Sequence, residues 1–281
     1  MENINYCVFI DVLGYGSLVS DSSKTYLQKI TALNSIYSNL ASSLLGVINE
    51  INSQIVDKIF IKSFSDCFYL EGKNPVALMF CCERIFNDTF GFYSNFPPDT
   101  EYTPLIRGGF VKDWTIRFKD LGDLVTNREG SNPIGLGVAR AYWTSEKSKI
   151  SGMRLIISPE VIEDLELAKF QKNNYEFQVT EFVYHNVPCN LYIAPITINE
   201  ENLDVKLYEL IWTEEVMSGC TFEYVSQLKN IRQNFNDDSL RHFNKTAEVV
   251  LKGLLISTCN IRTPDVFESY RKELEEMAKL K

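Results

Sequence analysis

Two hydrophobic periods alternate along the chain, and the change from one to the other predicts its elements. Val8-Phe9-Ile10 is an apolar run that ends at Asp11, followed by Val12-Leu13-Gly14-Tyr15-Gly16-Ser17-Leu18. A buried strand that stops, turns on glycine and enters a helix accounts for that order. From residue 17 to about 49, Leu27, Ile30, Leu33, Ile36 and Leu40 recur at three-to-four spacing, predicting one long helix or a broken pair. Residues 55–62 alternate as a strand, Ser63-Phe64-Ser65-Asp66 makes a turn, and Cys67-Phe68-Tyr69-Leu70 returns as the second strand of a hairpin. Asn74-Pro75 opens a helix that runs through Phe80, Ile85 and Phe86 toward Phe92 and stops before Pro97-Pro98. Leu105 to Val111 reads as a strand, with Gly108-Gly109 allowing a neighbour to approach closely. After a polar loop over 120–133 come a helix over 135–149, a strand over 154–158 and a short helix opened by Pro159. Residues 175–195 are rich in Val, Phe and Tyr and predict one or two strands. Beyond residue 202 the spacing predicts helices over 205–217, 222–234, 240–258 and 266–280.

The order strand, helix, strand, strand, helix, strand is that of a ferredoxin-like α+β sheet with helices packed on one face. The expected division is a domain over 1–200 and a helical C-terminal extension over 201–281. A chain of 281 residues with 45% hydrophobic and 12% aromatic content is globular rather than disordered. Its net charge of −9 argues against duplex DNA or an anionic membrane as a default partner. Seven cysteines without paired spacing, and only two histidines (His185 and His242), argue against a structural zinc site. Cysteines inside apolar runs, an N-terminus without a basic leader, and no membrane-length apolar run lead to an expectation of a soluble, cytoplasmic protein with reduced thiols.

Two carboxylates carry the candidate chemistry. Asp11 is the only charge between Ile4 and Val19, and it sits where the first strand should surface. Beside a glycine turn suited to phosphate, a carboxylate is unfavourable unless a divalent cation lies between them; otherwise it is a residue capping the turn. Asp66 lies at the hairpin tip, where a plain turn aspartate is also common. In a ferredoxin-like sheet the first strand lies beside that hairpin, so the two can converge, as carboxylates do around paired metals in phosphoryl transfer.

At these residues the sequence resembles the class III nucleotidyl cyclases. Phe9-Ile10-Asp11-Val12-Leu13-Gly14-Tyr15 is similar to their Phe-x-Asp-Ile-x-Gly-Phe motif. Ile61 to Tyr69 resembles their Lys-x-x-Gly-Asp hairpin, with Ser65 in place of glycine. Ile106-Arg107-Gly108-Gly109-Phe110 resembles the Arg-x-Gly strand, and residues 135–158 resemble the helix and strand that close the domain. Four motifs in this order across about residues 5–165 are more specific than any one alone. The resemblance implies that Asp11 and Asp66 carry two Mg²⁺ or Mn²⁺ ions and that the turn Gly14-Tyr15-Gly16 cradles a triphosphate. It implies attack of the ribose 3′-hydroxyl on the α-phosphate with release of pyrophosphate, at a site shared between two copies of the chain.

The departures from the family pattern bear on the substrate. Where purine cyclases place an asparagine and an arginine on the fourth-motif helix, this chain has Ala139 and Trp143. The nearest cation is Arg140, either a transition-state stabiliser or a solvated residue. Lys62 matches the lysine that reads adenine, or is a solvated strand residue. The pattern Gly135, Val138, Ala141, Tyr142, together with Ser63-Phe64-Ser65-Asp66 and Arg107-Gly108-Gly109, is closest to the Pycsar pyrimidine cyclases of bacterial antiphage defence. That resemblance implies cyclic UMP or cyclic CMP made for a companion effector. A large side chain near the base, Phe64 or Phe60, would narrow a pocket against purines. An adenylate or guanylate cyclase, and a degenerate fold that binds nucleotide without turnover, are the alternatives.

Overall fold

The computed structural model describes residues 4–64, 67–92, 105–117, 133–146, 151–172, 175–200, 203–213, 224–229, 231–232, 240–256 and 264–279. The chain opens with β1 (Ile4–Val12), α1 (Tyr15–Ser20) and α2 (Tyr26–Gln54), so the predicted long helix is a broken pair. A reciprocal cap at Thr25 starts α2: its side chain accepts from the Gln28 amide while the Gln28 side chain accepts from the Thr25 amide. The hairpin is β2 (Phe60–Phe64) and β3 (Cys67–Gly72), followed by α3 (Pro75–Phe92) and β4 (Ile106–Trp114). These four strands lie side by side in the order β2-β3-β1-β4, every neighbour antiparallel. That is the ferredoxin-like arrangement expected from the order of elements.

The sheet is larger than that core. A short β5 (Ile116–Arg117) pairs with β6 (Pro133–Ile134), and α4 (Leu136–Glu146) leads toward β7 (Leu155–Ile157) and α5 (Pro159–Ile162). Then come β8 (Ala168–Lys172), β9 (Tyr175–Tyr184), β10 (Val187–Glu200) and β11 (Leu203–Ile211), which extend the sheet to nine strands. The helix expected over 205–217 is therefore corrected: 203–211 is a strand between β7 and β10. Its second half is buried from Tyr208 to Ile211, and Leu207, Leu210 and Ile211 fall at the three-to-four spacing that a helix would also show. Among the described residues of the C-terminal stretch, 224–229 and 231–232, α6 (Leu240–Ile256) and α7 (Pro264–Lys279) are helical.

Helices cover both faces, not one. Val8, Ile10 and Val12 of β1 join Leu40, Leu44, Ile48 and Ile51 of α2 and Leu78, Phe86 and Phe90 of α3 in the large core. Cys7 and Phe9, pointing the other way, pack with Tyr69, Val111 and Ala141 of α4. The five described cysteines, Cys7, Cys67, Cys81, Cys82 and Cys189, are all free thiols. No described helix is long and apolar enough to cross a membrane.

Two contacts fix the layers. A Cβ at Gly109 would collide with the Ala141 carbonyl oxygen and sit 2.8 Å from the Ser145 amide, so α4 rests directly on the backbone of β4. The C-terminal α6 is hydrogen-bonded to the loop before β7: the Gly152 amide donates to His242 Nδ1 at 3.1 Å, and the Met153 amide donates to Thr246 Oγ1 at 2.9 Å. Burial pushes the His242 pKa down from 6.5 to about 4, and Arg241 and Arg107 add to the shift.

Gly109→Val is expected to destabilise the fold by about 3 kcal/mol, because the obstacle is helix backbone and cannot rotate away. An unchanged urea midpoint would contradict the close approach of α4. His242 is neutral in the folded chain down to about pH 4, whereas an unfolded histidine protonates near 6.5. Its contribution is thus complete above pH 6.5 and is lost as pH falls toward 4. Thermal melts should drop over that window in the wild type and drop less in His242→Gln, which keeps an acceptor for Gly152 without a titrating ring.

Candidate active site

Strand register collects the sequence-predicted residues. Asp11 is the direct partner of Cys67 on β3 and of Arg107 on β4, and Cys67 in turn is the partner of Phe64 on β2. Positions 64, 67, 11 and 107 therefore form one row across four adjacent strands. Two residues along lies a second row, Lys62, Tyr69, Phe9 and Gly109. Directly opposed residues share a face, and so do residues two apart on a strand. Both rows lie on the face that α4 packs against, because Phe9 and Tyr69 belong to the cluster with Ala141. Asp66 lies outside the described residues; its chain neighbour Cys67 is the one opposite Asp11. Phe64 is placed here by its register position.

The turn after Asp11 follows the sequence expectation. Gly14 caps α1 at φ 85°, a left-handed conformation that favours glycine. The Leu13 amide donates to the Leu105 carbonyl at 2.7 Å, pinning the end of β1 to the start of β4. Tyr15 packs edge-to-face on Tyr37 of α2, with ring centres 6.3 Å apart, while Gly14 and Gly16 are exposed.

Charge at the strand end is shared among three side chains. Arg107 donates from Nε at 3.2 Å and from Nη2 at 3.1 Å, both to Asp11 Oδ2. The same Nη2 is ion-paired with Glu146, the last residue of α4. Asp11 and Arg107 are each 16% exposed and Glu146 is 34% exposed, so the group is screened but reachable from solvent. Sequence reasoning missed Glu146. Its one signal is that it is the only acidic residue of α4, and one sequence gives no reason to connect it to Arg107.

Arg140 is elsewhere. It donates to Asp113 at 2.7 Å and to Glu160 at 2.7 Å. Partial burial opposes its charge, but the bonds to Asp113 and Glu160 outweigh that and raise its pKa. Asp113 is opposite Asn5, at the start of β1, whereas Asp11 is near its end. The six residue steps from Arg107 to Asp113 span roughly 20 Å. Within one chain, Arg140 is not brought to Asp11.

A buried polar network lies behind the rows. The Tyr69 hydroxyl donates to Glu71 Oε2 at 2.9 Å and sits 3.2 Å from Cys7 Sγ, and Thr115 donates to the same Glu71 oxygen at 3.0 Å. Burial pushes the Cys7 thiol up to about 12, against a smaller lowering by Tyr69, so it is protonated at neutral pH and is no nucleophile. Among the described residues, no three His, Cys, Asp or Glu side chains form a metal-holding group. One carboxylate with a compensating guanidinium, a lysine in the adjacent row and a glycine turn at the same strand end can hold a cation and an anionic group side by side.

No protein-family model matches the chain, and no curated protein matches it in sequence. Among solved structures it is similar to a guanylyl cyclase at 11% identity and a TM-score of 0.48, over 75% of this chain and 93% of that one. It is similar to a bacterial light-regulated adenylyl cyclase at 11% identity and a TM-score of 0.49, over 83% of this chain and 57% of that one. It is also similar to an adenylate/guanylate cyclase/hydrolase from Silicibacter pomeroyi at 11% identity and a TM-score of 0.42, over 75% of this chain and 97% of that one. Likeness at these identities and scores bears on neither substrate nor chemistry.

Proposed function

We infer that the chain is a metal-dependent nucleotide cyclase that converts UTP or CTP to the 3′,5′-cyclic monophosphate and pyrophosphate. The observation that carries this reading is the cross-strand row: Asp11, Arg107 and position 64 aligned, with Lys62 one row away on the same face. The resemblance of the four sequence motifs to class III cyclases, closest to the pyrimidine cyclases of antiphage defence, supplies the reaction. On that reading the protein works in the cytoplasm and its product acts on a separate effector.

The residues fit a divalent cation. Asp11 is a hard oxygen donor at a strand end, and the guanidinium on its Oδ2 marks it as a point where positive charge is held. Asp11, with Asp66, would hold Mn²⁺ or Mg²⁺. Such an ion, when bound, makes the 3′-hydroxyl more acidic and offsets triphosphate charge. In the reaction a bond forms between the 3′-oxygen and the α-phosphorus, the bond from that phosphorus to the bridging oxygen breaks, and the hydroxyl proton passes to water. Lys62 and position 64 flank the row on the β2 edge, where they would meet the base, while Gly14, Tyr15 and Gly16 follow Asp11 where the triphosphate would lie. Arg140 is held by Asp113, about 20 Å along β4 from Arg107. A transition-state role for it therefore calls for a homodimer, in which one copy supplies Asp11 and the other Arg140. Lys62 is the feature that favours the second reading, a purine cyclase.

Purified protein given Mn²⁺ with ATP, GTP, CTP or UTP separately should yield a cyclic monophosphate by mass from UTP or CTP; product from ATP or GTP would instead establish the purine reading. Asp11→Asn should lower turnover by about a thousandfold or more, as loss of a group that stabilises transition-state charge does. Its melting temperature should stay close to the wild type, because Arg107 retains Glu146 as a partner. Near-normal turnover in Asp11→Asn would remove Asp11 from the metal site.

A further inference from the structure

Arg107 stands between two carboxylates, and only one of them was expected. Its Nε and Nη2 both reach Asp11 Oδ2, and Nη2 also pairs with Glu146. We propose that Glu146 is a positioning residue for metal entry: Arg107 is the resident cation of Asp11 when no divalent ion is bound, and Glu146 retains Arg107 when the ion takes Asp11. This rests on the reading of Asp11 as a metal ligand.

Charge and geometry carry the argument. Asp11, Arg107 and Glu146 sum to −1, Asp66 makes that −2 on the same reading, and a divalent ion brings the group to 0. Arg107 and the ion would then be like charges competing for one carboxylate oxygen, an unfavourable arrangement at short range. A guanidinium with a second acceptor already in place can give up Asp11 without losing its own compensation. Without Glu146, an arginine only 16% exposed would have to lose Asp11 or exclude the ion. The position of Glu146 is not incidental, because Gly109 seats the last turns of α4 on β4, two residues from Arg107. Both acceptors also lie at the edge of the buried layer, where exchange needs only side-chain rotation.

The test is a double-mutant cycle read by Mn²⁺ binding, with free Mn²⁺ alone as the probe and its paramagnetic resonance signal as the readout. Glu146→Gln should weaken Mn²⁺ binding by about fivefold or more, and Arg107→Gln should strengthen it, since the competing cation is gone. In the Arg107→Gln background, adding Glu146→Gln should have little further effect. Glu146→Asp should restore part of the lost affinity, and unchanged melting temperatures would show that each variant folds. An equal loss from Glu146→Gln with and without Arg107 would overturn the proposal, because Glu146 would then act only as a nearby negative charge. Asp11→Asn separates the two ideas. If it leaves Mn²⁺ binding unchanged, the metal-site reading falls and this inference with it. If it abolishes binding while Glu146→Gln changes nothing, the inference alone falls.

Discussion

The site depends on how closely α4 lies on β4. Gly109 has no side chain, and the space a Cβ would need is filled by the backbone of Ala141 and Ser145. That contact fixes the depth of the helix, and the depth fixes everything on this face of the sheet. Cys7, Phe9, Tyr69 and Val111 close against Ala141 at that distance, and Phe9 meets Tyr142 edge-on with ring centres 5.3 Å apart. The same placement carries the end of α4 to the end of β1, so that Glu146 reaches Arg107. A larger residue at position 109 would lift the helix and part these charges even where the chain still folded.

Two charge clusters in this chain are built for different ends, and burial separates them. Glu209 is fully buried in β11 and is paired with both Arg154 and Lys252, tying the start of β7 and α6 to the sheet. Burial opposes its ionisation, but the two cations prevail and hold its pKa low. Removing one member of such a group leaves a charge in apolar surroundings, at a cost of about 3–5 kcal/mol. The cluster of Asp11, Arg107 and Glu146 is less deep, so exchange of partners there costs less. The first cluster fixes architecture, and with the bonds of His242 and Thr246 to the loop before β7 it ties α6 to the sheet. The second is placed where a ligand can enter.

The ferredoxin-like core was legible because its strands are short apolar runs bounded by glycine, proline and turn residues, a signal that survives although β1 and β3 are buried on both sides. The β11 strand was not, since Leu207, Leu210 and Ile211 are spaced as on a helical face and no glycine or proline bounds the run. The prediction of helices on one face failed for another reason: α4 is short, with mixed residues, and what seats it is a single glycine, Gly109, on another element. At the site, Asp11, Lys62, Phe64 and Arg107 were picked out one by one through motif resemblance, and it is the strand register that sets them in two adjacent rows. Glu146 could not be picked out, because its meeting with Arg107 is decided by the depth of α4, which no local pattern encodes. Arg140 could be found as a cation but not placed, since Asp113 and Glu160 come from two further elements.

The separation of Asp11 from Arg140 then constrains any mechanism more than either residue does alone. Asp11 is held by the guanidinium of Arg107 and Arg140 by the carboxylates of Asp113 and Glu160, at opposite ends of the paired β1 and β4, and the strands between them are continuous and largely buried. A rigid sheet cannot fold back to unite its two ends, so no motion of a single chain short of unfolding brings them together. If both act on one substrate, two chains are required, oriented so that the Asp11 end of one meets the Arg140 end of the other. The outward-facing Tyr142 and Trp143, 44% and 46% exposed on α4, lie on the helix that carries Arg140. Such an assembly would contain two equivalent sites by symmetry, each with its own Glu146 beside Arg107. Metal entry would then be governed within each chain and turnover between chains, so the two could be disabled separately.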